Sequence, residues 1–124
     1  MGQDWAVMKR NPMGISTLKH YPKALRRARE IARSKGYAIG LHGSHSYDLD
    51  LIAVPWVDDC CCSPAELAAA IADGLGWYLL MLDKDQVRIT KKPHGRVAFL
   101  IYGPKHAHID LSVMPINKSD LGVK

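Results

Sequence analysis

The sequence lacks the long apolar runs of membrane proteins and the spaced cysteines of disulfide-rich proteins. No stretch approaches the roughly 18 to 20 apolar residues of a membrane span, and the first residues lack the apolar centre of a signal peptide. The cysteines are consecutive, at Cys60, Cys61 and Cys62, which is neither a disulfide framework nor zinc-ligand spacing. We therefore predict a cytoplasmic protein with reduced thiols and no membrane association.

Acidic residues are in the minority. Twelve Asp and Glu against seventeen Lys and Arg leave a formal charge of +5, which favours approach to anions such as nucleotides or nucleic acid. With 48% hydrophobic and 23% charged residues, the composition is typical of a globular protein rather than of a disordered one. At 124 residues we expect one domain, at 22–115, with an irregular arm at 1–21 and a tail at 116–124.

The spacing of apolar residues predicts two helices. A helical period runs over Pro22–Ser34. The second helix is expected to begin at Ser63, whose hydroxyl and the Glu66 carboxylate make a capping box. Gly74 or Gly76 would end it, because glycine readily adopts the left-handed conformation of a helix C-terminus.

Period-two alternation predicts a mixed sheet. The expected strands are Tyr37–Gly43, Asp48–Trp56, Trp77–Leu82, Gln86–Lys91, Arg96–Tyr102 and His108–Met114. The first two are close enough in sequence to form a hairpin. The sum is an α+β fold in which two main helices pack on one face of the sheet. Trp56 and Trp77, which flank the second helix, are expected to close the edge of the core.

Carboxylates within the predicted strands point to chemistry. Asp48 and Asp50 would share one face, because side chains alternate along a strand. On the last strand Asp110 would share a face with His108 and Ser112. Like charges on an apolar strand cost stability unless a cation compensates them. If the two strands are neighbours, three carboxylates meet, and such hard oxygen ligands suit Mg²⁺ or Mn²⁺.

The order of these residues resembles a family signature. The motifs Gly43-Ser44, Asp48-Leu49-Asp50-Leu51 and Ile109-Asp110-Leu111 resemble the DNA polymerase β-type nucleotidyltransferase superfamily. The strings GLHGSHSYDLDLIAVPW, KPHGR and HIDLSVMP are similar to small phage and bacterial nucleotidyltransferase-like proteins. This resemblance covers roughly Tyr37 to Pro115 and implies a minimal nucleotidyltransferase fold.

The resemblance also implies a reaction, the transfer of a nucleoside monophosphate from a nucleoside triphosphate to a nucleic-acid or protein acceptor. Asp48 and Asp50 would hold the metal ions and Asp110 would help to activate the attacking hydroxyl, so that all three are catalytic. The turn at Gly43 and Ser44 would bind the nucleotide phosphates. A domain of this size has little surface with which to grip an acceptor, so an active form is expected to need a homo-oligomer or a separate partner chain.

Basic residues surround the turn between two predicted strands. Lys91, Lys92 and Arg96 flank the segment Pro93–Gly95 and are candidates for binding a triphosphate tail or an acceptor strand. The alternative is a charged turn that is simply solvated.

Two other functions are compatible with the sequence. His42, His45 and His108 near the carboxylates would point to Zn²⁺ or Mn²⁺ and a metal-assisted hydrolase, although no recognised zinc spacing occurs. Only three residues separate Ser44 from Asp48, where the family has a longer segment that begins a helix. This departure favours the alternative of a catalytically inert member of the fold that binds nucleic acid or a protein partner.

Overall fold

The computed structural model describes residues 20–42, 48–58 and 62–115. These residues form α1 (Tyr21–Ser34), β1 (Tyr37–Leu41), β2 (Leu49–Pro55), α2 (Pro64–Leu75), β3 (Tyr78–Leu79), β4 (Thr90–Lys91), β5 (Val97–Tyr102) and β6 (His108–Val113). Neither of these helices is long and apolar enough to cross a membrane. The expected tail at 116–124 and all but the last two residues of the expected arm lie outside the described residues.

The strands form one mixed sheet in the order β1-β2-β6-β5-β3, with β4 also paired to β5. The expected hairpin is confirmed, since β1 and β2 are antiparallel with Tyr37 opposite Pro55. β2 and β6 are parallel, although about fifty residues separate them in the chain. β5 is antiparallel to each of its partners, β3, β4 and β6.

One face of the sheet packs against both helices. Alternate residues of β2, β5 and β6 point to this face, and they share a single core with the buried side of α1 and α2. Its fully buried strand side chains include Leu49, Leu51, Phe99, Ile101, Ile109, Leu111 and Val113. The α+β fold with two helices on one face is therefore as predicted.

The ends of α2 follow the predicted signals. Ser63 Oγ accepts a hydrogen bond from the Glu66 N–H at 3.2 Å, and Glu66 Oε1 accepts one from the Ser63 N–H at 2.9 Å. This capping box satisfies backbone donors that the first turn leaves without partners. Gly76, at φ 71°, ends the helix in the left-handed conformation.

β3 and β4 contain two residues each and are shorter than the predicted strands Trp77–Leu82 and Gln86–Lys91. Between them, Asp83 Oδ1 accepts hydrogen bonds from the N–H groups of Asp85 and Gln86, at 2.8 and 2.9 Å. A side chain that satisfies the backbone in this way stabilises a turn at the expense of extended pairing.

The two tryptophans beside α2 differ from the prediction and from each other. Trp77 packs against the core, close to Gly103, where an added Cβ would collide with its ring. The prediction for Trp56 was wrong, because this side chain is 76% exposed. It follows Pro55, the last residue of β2.

Candidate metal and phosphate site

The three predicted carboxylates meet on the open face of the sheet, at the interior pair of strands β2 and β6. Asp48 immediately precedes β2, and Asp50 is the direct register partner of Asp110 in the parallel pair of β2 and β6. One carboxylate oxygen from each residue lies within 4.8 Å of the other two, and all three side chains are half-buried. This confirms the predicted convergence on adjacent strands.

The apolar residues between these aspartates fix the direction of their side chains. Leu49 and Leu51 on β2, and Ile109 and Leu111 on β6, are buried against the helices. Because side chains alternate along a strand, the aspartates between them face the open side of the sheet. A slip of one residue in either strand would exchange leucine for aspartate in the core, so burial of the apolar residues holds the acidic cluster in place.

Mutual repulsion is visible in the cluster. Burial raises the pKa of the Asp50 carboxyl above its usual value, and the carboxyl groups of Asp48 and Asp110 raise it further. A positive charge on His42 acts in the opposite direction and lowers the pKa of Asp50. Charging all three carboxyls together is therefore unfavourable unless a cation joins them.

His108 and Tyr21 flank the cluster on the side of α1. His108 Nε2 lies 3.7 Å from Asp48 Oδ2, with the two side chains 30% and 32% exposed. The His108 N–H donates a hydrogen bond to Tyr21 Oη at 3.4 Å. Burial raises the pKa of Tyr21, and the charges of Asp48 and Asp50 add to this increase. Tyr21 was not predicted as a site residue, because it was assigned to the irregular arm.

A small hollow of about 170 Å³ adjoins Asp110 on the open face of the sheet. Arg88, Thr90 and Lys92 line it from the side of β4, and Leu100, the register partner of Asp110, lines it from β5. It thus brings two cationic side chains near the acidic cluster. Arg88 was not predicted as a site residue. It alternates with Thr90 and Lys92, however, and this spacing indicates that the three side chains share one face of a strand.

The fold places the three residues of the predicted basic cluster, Lys91, Lys92 and Arg96, in different surroundings. Lys92 lines the hollow with Asp110, and its phosphate-binding role stays a prediction. Lys91 is the register partner of Val97 and points to the opposite face, so it does not join Lys92 there. Arg96 is bound within the fold, since its Nη1 donates to Ser112 Oγ at 2.9 Å and its Nε donates to the Pro93 carbonyl at 3.2 Å.

Gly43, Ser44 and His45 lie outside the described residues, so their predicted roles stay predictions. Of the histidines named with the carboxylates, His108 lies beside Asp48, and His42 donates its N–H to the Asp50 carbonyl at 3.0 Å.

The chemistry of the donor set fits a hard divalent cation. Oxygen ligands of one octahedral Mg²⁺ lie at about 2.0–2.1 Å from the ion, which places opposite ligands about 4 Å apart. Three ligands of one such ion include pairs at neighbouring positions, about 3 Å apart, so carboxylate oxygens within 4.8 Å of one another would move closer together when they share it. Asp48, Asp50 and Asp110 would hold such an ion, whose charge would offset the repulsion at Asp50.

Comparison with known proteins assigns no family. No family model matches the sequence, and no curated protein matches it. A solved structure of a cytoplasmic RNA terminal U-transferase superposes with a TM-score of 0.46 at 15% sequence identity, over 77% of this chain and 28% of that chain. The chain therefore spans less than a third of that protein's length, and a likeness this low assigns neither a family nor a function.

Proposed function

We propose that this chain is a metal-dependent nucleotidyltransferase that transfers a nucleoside monophosphate from a nucleoside triphosphate to an acceptor. The observation that carries the proposal is the convergence of Asp48, Asp50 and Asp110 within 4.8 Å, on two neighbouring parallel strands. Three half-buried carboxylates that repel one another are costly in a small domain, and a bound Mg²⁺ or Mn²⁺ would remove that cost.

The hollow beside Asp110 supports binding of a triphosphate. Arg88 and Lys92 would face the phosphate oxygens, and the metal held by the carboxylates would neutralise them from the other side. Its volume of about 170 Å³ is below the 300–1,000 Å³ of typical small-molecule pockets, so it suits the phosphates rather than a whole nucleotide. The base and the sugar would then lie outside it.

The reaction would be an in-line displacement at the α-phosphorus. The acceptor hydroxyl oxygen forms the new P–O bond, the bond from the α-phosphorus to the bridging oxygen breaks, and pyrophosphate leaves. The hydroxyl proton would pass to Asp110, in keeping with its role in the resemblance, while Asp48 and Asp50 position the ions. When bound, the metal would stabilise charge on the entering and leaving oxygens. The protein would act by positioning and charge neutralisation.

Metal-dependent binding of a triphosphate tests this proposal without knowledge of the acceptor. Each of the four ribonucleoside triphosphates is titrated calorimetrically in Mg²⁺, in Mn²⁺ and in chelator, with wild type, Asp50→Asn and Asp73→Asn. Asp73 is an exposed acidic residue of α2 and is a matched control. We expect binding that needs metal, is lost in Asp50→Asn and is kept in Asp73→Asn.

Two outcomes would reject the transferase. Equal binding in chelator and in metal would show that the carboxylates hold no ion for the nucleotide. Absence of any triphosphate binding below about 1 mM, together with salt-dependent capture of nucleic acid, would favour the inert binding module. If binding is as expected, incorporation of an α-labelled nucleotide into RNA, DNA or protein acceptors then identifies the acceptor.

A further inference from the structure

The exposed face of α1 carries a row of guanidinium groups. Arg26, Arg29 and Arg33 follow one another at three and four residues, so they lie on one side of the helix, and all three are exposed. We call these three residues the arginine row. They line a hollow of about 460 Å³. Glu30, the one acidic residue of α1, lines the same hollow and forms an ion pair with Arg27 at 3.2 Å.

A second hollow continues the surface towards an exposed indole. Arg29 and Arg33 also line this hollow of about 260 Å³, and Trp56 closes it. The Trp56 side chain is 76% exposed, although its backbone is fixed by a hydrogen bond from its N–H to the Gly36 carbonyl at 2.8 Å. The indole is therefore accessible to a ligand beside the cationic side chains of Arg29 and Arg33.

We propose that single-stranded nucleic acid docks on this surface, with its phosphates on the arginine row and a base stacked on Trp56. Guanidinium groups bind phosphate oxygens in a bidentate manner. An aromatic ring binds the face of any base, and this face is accessible in a single strand but hidden by stacking in a duplex. An acidic peptide or a phospholipid headgroup would use the arginines but would leave the indole without a stacking partner.

The dimensions of the row agree with this ligand. Arg26 and Arg33 are seven residues apart, which is about 10 Å along the helix axis at 1.5 Å per residue. That exceeds the 3.4 Å axial spacing of phosphates in one strand of B-DNA, so the row can meet more than one phosphate.

The docking surface is separate from the carboxylate cluster. α1 packs on the helix-covered face of the sheet, whereas Asp50 and Asp110 point to the open face. Binding here therefore needs neither metal nor the transfer reaction proposed above, and the two proposals fail independently.

Fluorescence anisotropy with a short labelled oligo(U) or oligo(dT), in chelator and over a series of salt concentrations, tests the docking surface. The variants are Arg26→Gln/Arg33→Gln, Trp56→Leu and Trp56→Phe. Lys84→Gln/Lys91→Gln removes the same charge near β4 and is the matched control. Asp50→Asn separates this surface from the metal site.

We expect the arginine double variant to reduce the slope of log K against log salt by about 1.4, because each lost phosphate contact contributes about 0.7 for a single strand. Trp56→Leu should weaken binding at least about fivefold, and Trp56→Phe should restore most of it. The control and Asp50→Asn should bind as wild type does.

Three results would overturn the inference. The first is an equal loss of slope in the arginine variant and in the lysine control, which would indicate diffuse attraction. The second is wild-type affinity in Trp56→Leu. The third is equal or tighter binding of a duplex, of polyglutamate or of anionic phosphatidylserine vesicles, which would assign the surface to another polyanion. If triphosphate binding depends on metal, the proposed function is unaffected by any of these three results.

Discussion

Asp50 and Asp110 are direct partners across the parallel pair of β2 and β6, so two carboxyl groups occupy neighbouring positions on the open face of the sheet. Like charges opposite each other in a sheet are destabilising. Asp48 adds a third carboxyl, with an oxygen from each within 4.8 Å of the others. A cation between them would turn a repulsive arrangement into a ligand set, and the first predictions follow from this relationship.

Replacement of Asp50 by Asn should stabilise the metal-free protein. The raised pKa of Asp50 shows that its negative charge is unfavourable in the folded state, and the amide removes that charge at nearly constant volume. In chelator at neutral pH we expect the thermal midpoint of Asp50→Asn to lie above that of wild type. With Mn²⁺ added, the wild-type midpoint should rise and the variant's should not. A variant that melts well below wild type in chelator would show that Asp50 is a structural residue.

The stabilisation by Asp50→Asn should depend on pH. Because the pKa of Asp50 is higher in the folded than in the unfolded protein, folding favours the protonated carboxyl. Its contribution to stability is present at acidic pH and is lost as the pH rises through the raised pKa. In chelator, the difference in midpoint between variant and wild type should therefore grow from acidic to neutral pH. A difference that is constant over this range would contradict the assigned cause.

Lys92 and Lys91 are a matched pair of neighbours on opposite faces of the sheet. Lys92 lines the hollow beside Asp110, whereas Lys91 is paired with Val97 and points away. With metal present, Lys92→Gln should weaken triphosphate binding about tenfold, which corresponds to the loss of one charge-assisted hydrogen bond of roughly 1.5 kcal/mol. Lys91→Gln should leave the calorimetric Kd unchanged. Equal effects of the two substitutions would place the phosphates elsewhere.

The capping box gives a prediction that concerns the fold alone. Ser63→Ala removes the oxygen that accepts from the Glu66 N–H, and should cost about 0.5–2 kcal/mol in the free energy of unfolding measured with urea. Ser63→Thr keeps that oxygen and should cost less. Metal binding should be unaffected in both, because α2 lies on the face of the sheet away from the carboxylates. A loss of metal affinity in Ser63→Ala would show that α2 supports the site.

Local signals accounted for the elements, and pairing decided the site. Alternation along β2 and β6 placed Asp50 and Asp110 on polar faces, and the capping signals placed α2. That β2 lies beside β6, with Asp50 level with Asp110, is a long-range pairing that no local pattern contains. From the sequence it followed only if the two strands are neighbours, as the family resemblance implies.

The misses have the same physical origin. Lys91 and Lys92 are equivalent as a basic dipeptide, and only the register of β4 against β5 assigns them to different faces. Trp56 has the hydrophobicity of a core residue, but it lies one residue beyond β2, where its side chain is exposed. In both cases the tertiary structure decides where the side chain lies, and the local sequence does not contain that information.

The most direct test of the metal site is diffraction from crystals soaked in Mn²⁺, with anomalous data that locate the ion. We expect an anomalous peak between Asp48, Asp50 and Asp110, bonded to oxygens of at least two of them, and no such peak in Asp50→Asn crystals treated in the same way. A clearly occupied Mn²⁺ elsewhere with none at the three aspartates, or an unchanged peak in Asp50→Asn, would contradict the assignment of these residues as the metal site.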